Sequence, residues 1–139
     1  MMISTRGRYA LRVMIDLAQQ HSNSFVPLRD IAERQCISEK YLEAVIKALV
    51  SEGLLAGMRG KGGGYKLTKA PEEYTVGSIL RLTEGSLAPV SCLECSGNEV
   101  ECERSNNCLT LPLWKKLNFV VNNYLDSITI VYVIEGKII

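Results

Sequence analysis

No apolar run in this 139-residue chain approaches the roughly 20 residues that a membrane-crossing helix requires, so no segment reads as a transmembrane helix. Nor does the opening segment read as a secretory leader: Ser4-Thr5-Arg6-Gly7-Arg8 leads into an amphipathic stretch carrying Arg12 and Asp16, not into an uninterrupted apolar core. A cytoplasmic protein without a membrane partner is therefore expected. The glycine run at residues 60–64 lacks a Walker-type Gly-Lys-Ser/Thr and does not open a helix after a buried strand, which argues against a nucleotide loop. Histidine occurs once, as His21, at the end of the first expected helix, where it reads as a solvent-facing cation and not a ligand.

Net charge is also nearly absent, at +1, yet its distribution is uneven. Residues 1–69 hold 11 Lys/Arg against 6 Asp/Glu, and residues 70–139 hold 5 against 9. A basic front half suits phosphate contact, and an acidic rear half would repel it. The 47% hydrophobic and 22% charged content is that of a globular protein, long enough for one core or for a small domain with an oligomerisation element.

The front half has helical periodicity. Ser4 is a candidate N-cap for a helix to about His21, with Leu11, Met14, Ile15 and Ala18 on one face. Pro27 fits the first turn of a short second helix with Leu28, Ile31 and Ala32 inward. After a turn at Cys36-Ile37, Ser38 caps a third helix ending at Gly53, with Ile37 and Leu42 placed as a hydrophobic staple. Its apolar stripe is Leu42, Val45, Ile46, Leu49 and Val50, and its outer face is Glu39, Lys40, Glu43, Ala44 and Lys47. Two helices joined by a short turn are a helix-turn-helix candidate, with any small helical hairpin as the bland alternative. Residues 54–58 and 65–68 then read as strands around Arg59-Gly60-Lys61-Gly62-Gly63-Gly64, a hairpin whose basic tip can approach phosphates or a minor groove. Together these segments make a winged helix.

In the rear half, Thr75 caps a helix to about Glu84, with Val76, Ile79, Leu80 and Thr83 facing the domain. Pro112 starts a helix in which Leu113, Leu117, Val120 and Tyr124 alternate spacings of four and three, the pattern of a helix-helix seam, and a homodimer is expected. A helix-turn-helix dimer reads a near-palindromic duplex. The tail from Ile128 to Ile134 is rich in β-branched residues, and the sequence leaves its structure open.

Between these helices stand Cys92, Cys95, Cys102 and Cys108. A disulfide does not suit a cytoplasmic chain, and Cys92-x-x-Cys95 lacks the helix start of a thioredoxin-type pair. Four cysteines could hold zinc, although the gaps after Cys95 are not those of a second knuckle; they could equally hold an iron-sulfur cluster. Cys36, alone in the turn, reads as a small buried filler, and Tyr9 and Trp114 read as packing residues.

Gly7-Arg8-Tyr9-Ala10, residues 31–38, Tyr41-Leu42-Glu43, the glycine-rich wing and Cys108-Leu109-Thr110 followed by Leu113-Trp114 together resemble the Rrf-two (IscR/NsrR/CymR) family of winged-helix transcription regulators, most of all its iron-sulfur members. The resemblance covers nearly the whole chain. It implies a mainly α fold with a small β-hairpin, a winged helix-turn-helix domain (1–84), a cysteine-rich cluster-binding loop (85–110), and a dimerisation helix with tail (111–139), the tail forming a short helix. It also implies a non-enzymatic regulator, with repression the expected sign, whose DNA binding is controlled by an iron-sulfur cluster.

By the same resemblance Glu43 reads bases, with Ser38 and Lys40 beside it, while Arg59 and Lys61 are wing contacts. Cys102 and Cys108 match two family ligands, and either Cys92 or Cys95 matches the first. The family's fourth ligand is a His where this chain has Leu111, or an Asp from the partner's first helix where it has Arg8. The extra cysteine can complete a four-thiolate site, a hypothesis that follows from the count. A [2Fe-2S] cluster is expected ahead of [4Fe-4S]. The alternatives are a cluster-free or zinc-stabilised regulator responding to a protein partner or small molecule, and a small electron-transfer protein, which would leave the basic winged helix idle.

Overall fold

The computed structural model describes residues 2–20, 23–94, 102–104 and 106–138, so Cys95 and His21 lie outside the described residues. Helix α1 (Thr5–Gln19) starts where expected, because the Ser4 hydroxyl accepts the Gly7 N–H at 3.1 Å and so satisfies one of the donors that every helix start leaves free. Its inward face is Ala10, Val13, Met14, Leu17 and Ala18. Leu11 and Ile15, expected inward, are only partly buried. Leu11 sits at a boundary, packing against both apolar clusters of the molecule.

Helix α2 (Leu28–Gln35) begins one residue later than the sequence pattern implies. Pro27 is the extended residue before it, where a missing N–H and a fixed φ also do no harm. Helix α3 (Glu39–Ser51) follows, with Ser38 capping the Tyr41 N–H at 3.3 Å. Ile37 and the α3 residues Leu42, Val45, Ile46 and Leu49 are all buried. Cys36 corrects the expectation of a buried filler: it is exposed, with φ 54. At the end of α2 the chain must turn left-handed for the Cys36 N–H to return to the Ala32 and Glu33 carbonyls, and that turn carries its side chain outward.

Strands β1 (Leu55–Met58) and β2 (Gly64–Leu67) pair antiparallel, Leu55 against Leu67 and Met58 against Gly64. Val26 adds a one-residue bridge to Tyr65 through two hydrogen bonds of 2.8 Å. Buried Tyr74 closes the base of the hairpin: its hydroxyl donates to the Leu54 carbonyl at 2.9 Å and accepts the Thr68 and Lys69 N–H groups at 3.0 Å each.

Helix α4 (Val76–Glu84) is capped by Thr75 and packs along α1. Helix α5 (Leu111–Ser127) runs against α4, and α6 (Ile130–Glu135) returns to α1, which resolves the tail as a helix. Ile130, fully buried, joins Met14, Ile31, Leu42, Ile46, Leu49, Leu55 and Ile79 in the main core. Each such side chain contributes roughly 1.5–3 kcal/mol relative to exposure.

Candidate nucleic-acid interface and cysteine segment

The outer face of α3 is built by what holds α3 and α2 still. Asp16 of α1, 2% exposed, accepts from Arg34 at 2.7 Å and from the Gln35 amide at 2.8 Å, so its charge is buried but fully partnered. The hydrogen bond to Asp16 pushes the Arg34 guanidinium pKa further up. Arg12 donates to the Gln35 side chain at 3.0 Å and to the Gln35 carbonyl, and lies 5.3 Å over the Tyr9 ring. Tyr9 in turn meets Tyr41 of α3 edge-on at 5.3 Å. This network, which the sequence pattern did not reveal, braces the two helices of the motif from α1.

Ser38, Lys40 and Glu43, with Ala44 and Lys47, are exposed on α3, three of them within its first turns. The Ser38 hydroxyl, already accepting from Tyr41, retains its own proton for a second partner. At the other end of the region, Arg59 and Lys61 are exposed on the hairpin tip. Two glycines there are obligatory for space. A Cβ at Gly63 would strike the Met58 carbonyl, and one at Gly64, φ 145, would strike the Val26 backbone. The tip is thus a tight, basic, backbone-rich projection that can lie close to a phosphate.

The cysteines are arranged otherwise. Cys92 is exposed on a short helical turn (Ser91–Leu93), Cys102 is exposed, and Cys108 is half-buried just before α5. Hydrogen bonds from the Thr110 side chain and backbone hold the Cys108 thiol below its ordinary pKa, the hydroxyl lying 3.3 Å from Sγ. Cys92, Cys102 and Cys108 are free thiols. Among the described residues no three His, Cys, Asp or Glu side chains come together as a metal-holding group. The two family positions that lack a ligand keep other roles: Leu111 opens α5, and Arg8 donates to Thr5.

Just ahead of this segment the end of α4 is tied to the start of α1. Glu84, at the end of α4, accepts from the Ser4 N–H at 3.1 Å and the Ser4 hydroxyl at 2.6 Å, and Leu87 and Ala88 are buried just beyond. Helix α5 buries no residue, and Leu113, Leu117, Val120 and Tyr124, the expected seam, are all exposed, together with Phe119. Its polar tether is Arg81 of α4, which donates to Asn122 at 2.9 Å and pairs with Asp126.

Comparison with known proteins gives one family. The profile described as Rrf2, iron-dependent transcriptional regulator, matches residues 3–136. The HTH-type transcriptional regulator IscR of Pectobacterium carotovorum subsp. carotovorum (strain PC1) is 38% identical over 137 residues, 99% of this chain and 81% of that protein. CymR (YrzC), the global cysteine regulator of B. subtilis, superposes with a TM-score of 0.74 at 37% identity, covering 94% of this chain and 93% of that one. T. potens IscR superposes with a TM-score of 0.74 at 33% identity, covering 99% and 88%. Among the described residues no helix is long and apolar enough to cross a membrane.

Proposed function

From the premise that this chain belongs to the Rrf2 family of transcriptional regulators, and is itself a DNA-binding regulator, we propose that an iron-sulfur cluster held by its cysteine segment governs that binding. The observation that carries this reading is position: the thiols lie between α4, packed on the DNA-reading body, and α5, whose apolar face is bare. A change of charge and order there acts on the joint between the two parts.

The protein acts as a homodimer. Leu113, Leu117, Val120 and Tyr124 of two copies form the seam, and the paired α3 helices read a near-palindromic duplex. Ser38, Lys40 and Glu43 face the major groove, where a carboxylate accepts from a cytosine amino group, and Arg59 and Lys61 meet the backbone from the wing. Repression is the expected sign.

Cys92, Cys95, Cys102 and Cys108 are the proposed ligands. Soft, free thiols suit such a cluster in kind, and the lowered Cys108 pKa favours the thiolate that binds metal. Cys92, Cys102 and Cys108 do not converge as described, so ligation must draw them together. Bound, the cluster supplies a redox-active, charged centre, with [2Fe-2S] to be tested first and [4Fe-4S] as its rival. The likeness to CymR supports a second reading, a cluster-free or zinc-stabilised regulator answering to a protein partner or small molecule.

An anaerobic preparation examined by visible absorption, with iron, sulfide and zinc assays, separates the two: brown with iron and sulfide for the first, colourless for the second. Cys102→Ala and Cys108→Ala should each abolish the cluster. If either Cys92→Ala or Cys95→Ala keeps parental iron and spectrum, the four-thiolate site is wrong. Leu117→Asp should sediment as a monomer, since a charge in the seam would be desolvated without a partner.

A further inference from the structure

The joint between α4 and α5 is narrow. At the end of α5 the chain is fixed by backbone pairing, Thr75 bridging Thr129 and the Val76 N–H donating to the Ile128 carbonyl at 2.8 Å. Further along α5 the polar hold among the described residues is a single guanidinium: Arg81 takes Asn122 with one Nη and Asp126 with the other, acceptors one helical turn apart. Asn122 is aimed by its own amide, which donates to the Asn118 carbonyl at 2.8 Å and to the Asn118 side chain at 2.9 Å. Gly77 completes the fit, because a Cβ there would occupy the place of the Asp126 carboxylate.

An ion pair this exposed adds little stability. Its effect is geometric, since a planar fork with two fixed acceptors sets both the rotation and the axial register of α5 on α4. Beyond Asn122 the helix continues for about 16 Å to Leu111 without burying a residue. A tilt of roughly 10° at the joint moves that far end by about 3 Å, near the 3.4 Å rise of one base pair.

We propose that the Arg81 fork to Asn122 and Asp126 fixes the distance between the two recognition helices of the dimer, so that these residues set which half-site spacing the regulator accepts. This rests on the homodimer reading above.

The test is selection of binding sites from a random-sequence duplex pool by the full chain, anaerobically prepared, with sedimentation run alongside. The parent should return paired half-sites at one dominant spacing. Arg81→Met should remain dimeric and return neighbouring spacings too, its preference for the parental spacing over one base pair more or less falling about five-fold. Gly77→Ala should do the same by displacing the Asp126 carboxylate, whereas Asp126→Asn, which keeps an oxygen acceptor, should retain the parental spacing. A single parental spacing from dimeric Arg81→Met and Gly77→Ala overturns the inference while leaving the dimer intact. A parent that sediments as a monomer or selects unpaired sites overturns the dimer reading instead, and this one with it.

Discussion

Helices α3 and α5 carry apolar stripes of similar make and opposite fate. On α3, Leu42, Val45, Ile46 and Leu49 disappear into the core; on the longer α5, Leu113, Leu117, Val120 and Tyr124 remain in solvent. Periodicity announces that a face is to be covered, and says nothing of whose atoms will cover it. The covering of α3 comes from α1, α2, β1 and α4, all within its own chain, so its outer face is presented rigidly. Among the described residues nothing in the single chain buries a residue of α5. The body is therefore built to hold side chains in place, and the proposed dimer is what would complete the rear helix.

The sharpest way to break this contrast is to truncate both stripes. Leu49→Ala should destabilise the protein by about 2–5 kcal/mol in urea unfolding, through lost burial and the cavity left behind. A smaller loss is expected at the brace behind α3. Asp16→Ala removes the acceptor of Arg34 and Gln35, and because Arg34 is half-exposed and can turn to water, roughly 1–3 kcal/mol should go. The presented face itself should show no stability change. Instead Glu43→Ala should relax discrimination at one base position by about 1–3 kcal/mol across base-substituted duplexes, and uniform weakening on every duplex would take base reading away from Glu43. Smallest of all, Leu113→Ala in dilute protein, below association, should alter unfolding by no more than about 0.5 kcal/mol. A loss there as large as at Leu49 would mean that α5 is covered by its own chain after all.

Much of the body was legible because its signals are local. Ser4, Ser38 and Thr75 each announce a helix through a hydroxyl that accepts an N–H three residues on, and all three do so here. Glycines between basic residues announce the hairpin tip, and the polar side of α3 announces its exposed face. The illegible parts depend on distant partners. Nothing near Arg81 in sequence points to Asn122 or Asp126, and the one sign of the Asp16 network is an acid set among inward-facing Val13, Met14 and Leu17. The β-branched run in the tail favours a strand by propensity, yet α6 is helical because Ile130 is drawn into the core, the kind of tertiary override to which short segments are prone. At Cys36 the left-handed backbone is hidden by the absence of a glycine.

The return of α6 also orders events in time. Ile130 is wholly buried against the first helix, and its N–H donates to the Tyr74 carbonyl at 3.0 Å. At about 5–20 residues per second, translation from Ala10 to Ile130 occupies roughly 6–24 s. Throughout that interval the nascent DNA-reading half lacks one of its innermost side chains. The cysteine segment is therefore synthesised before the core it is tethered to is complete.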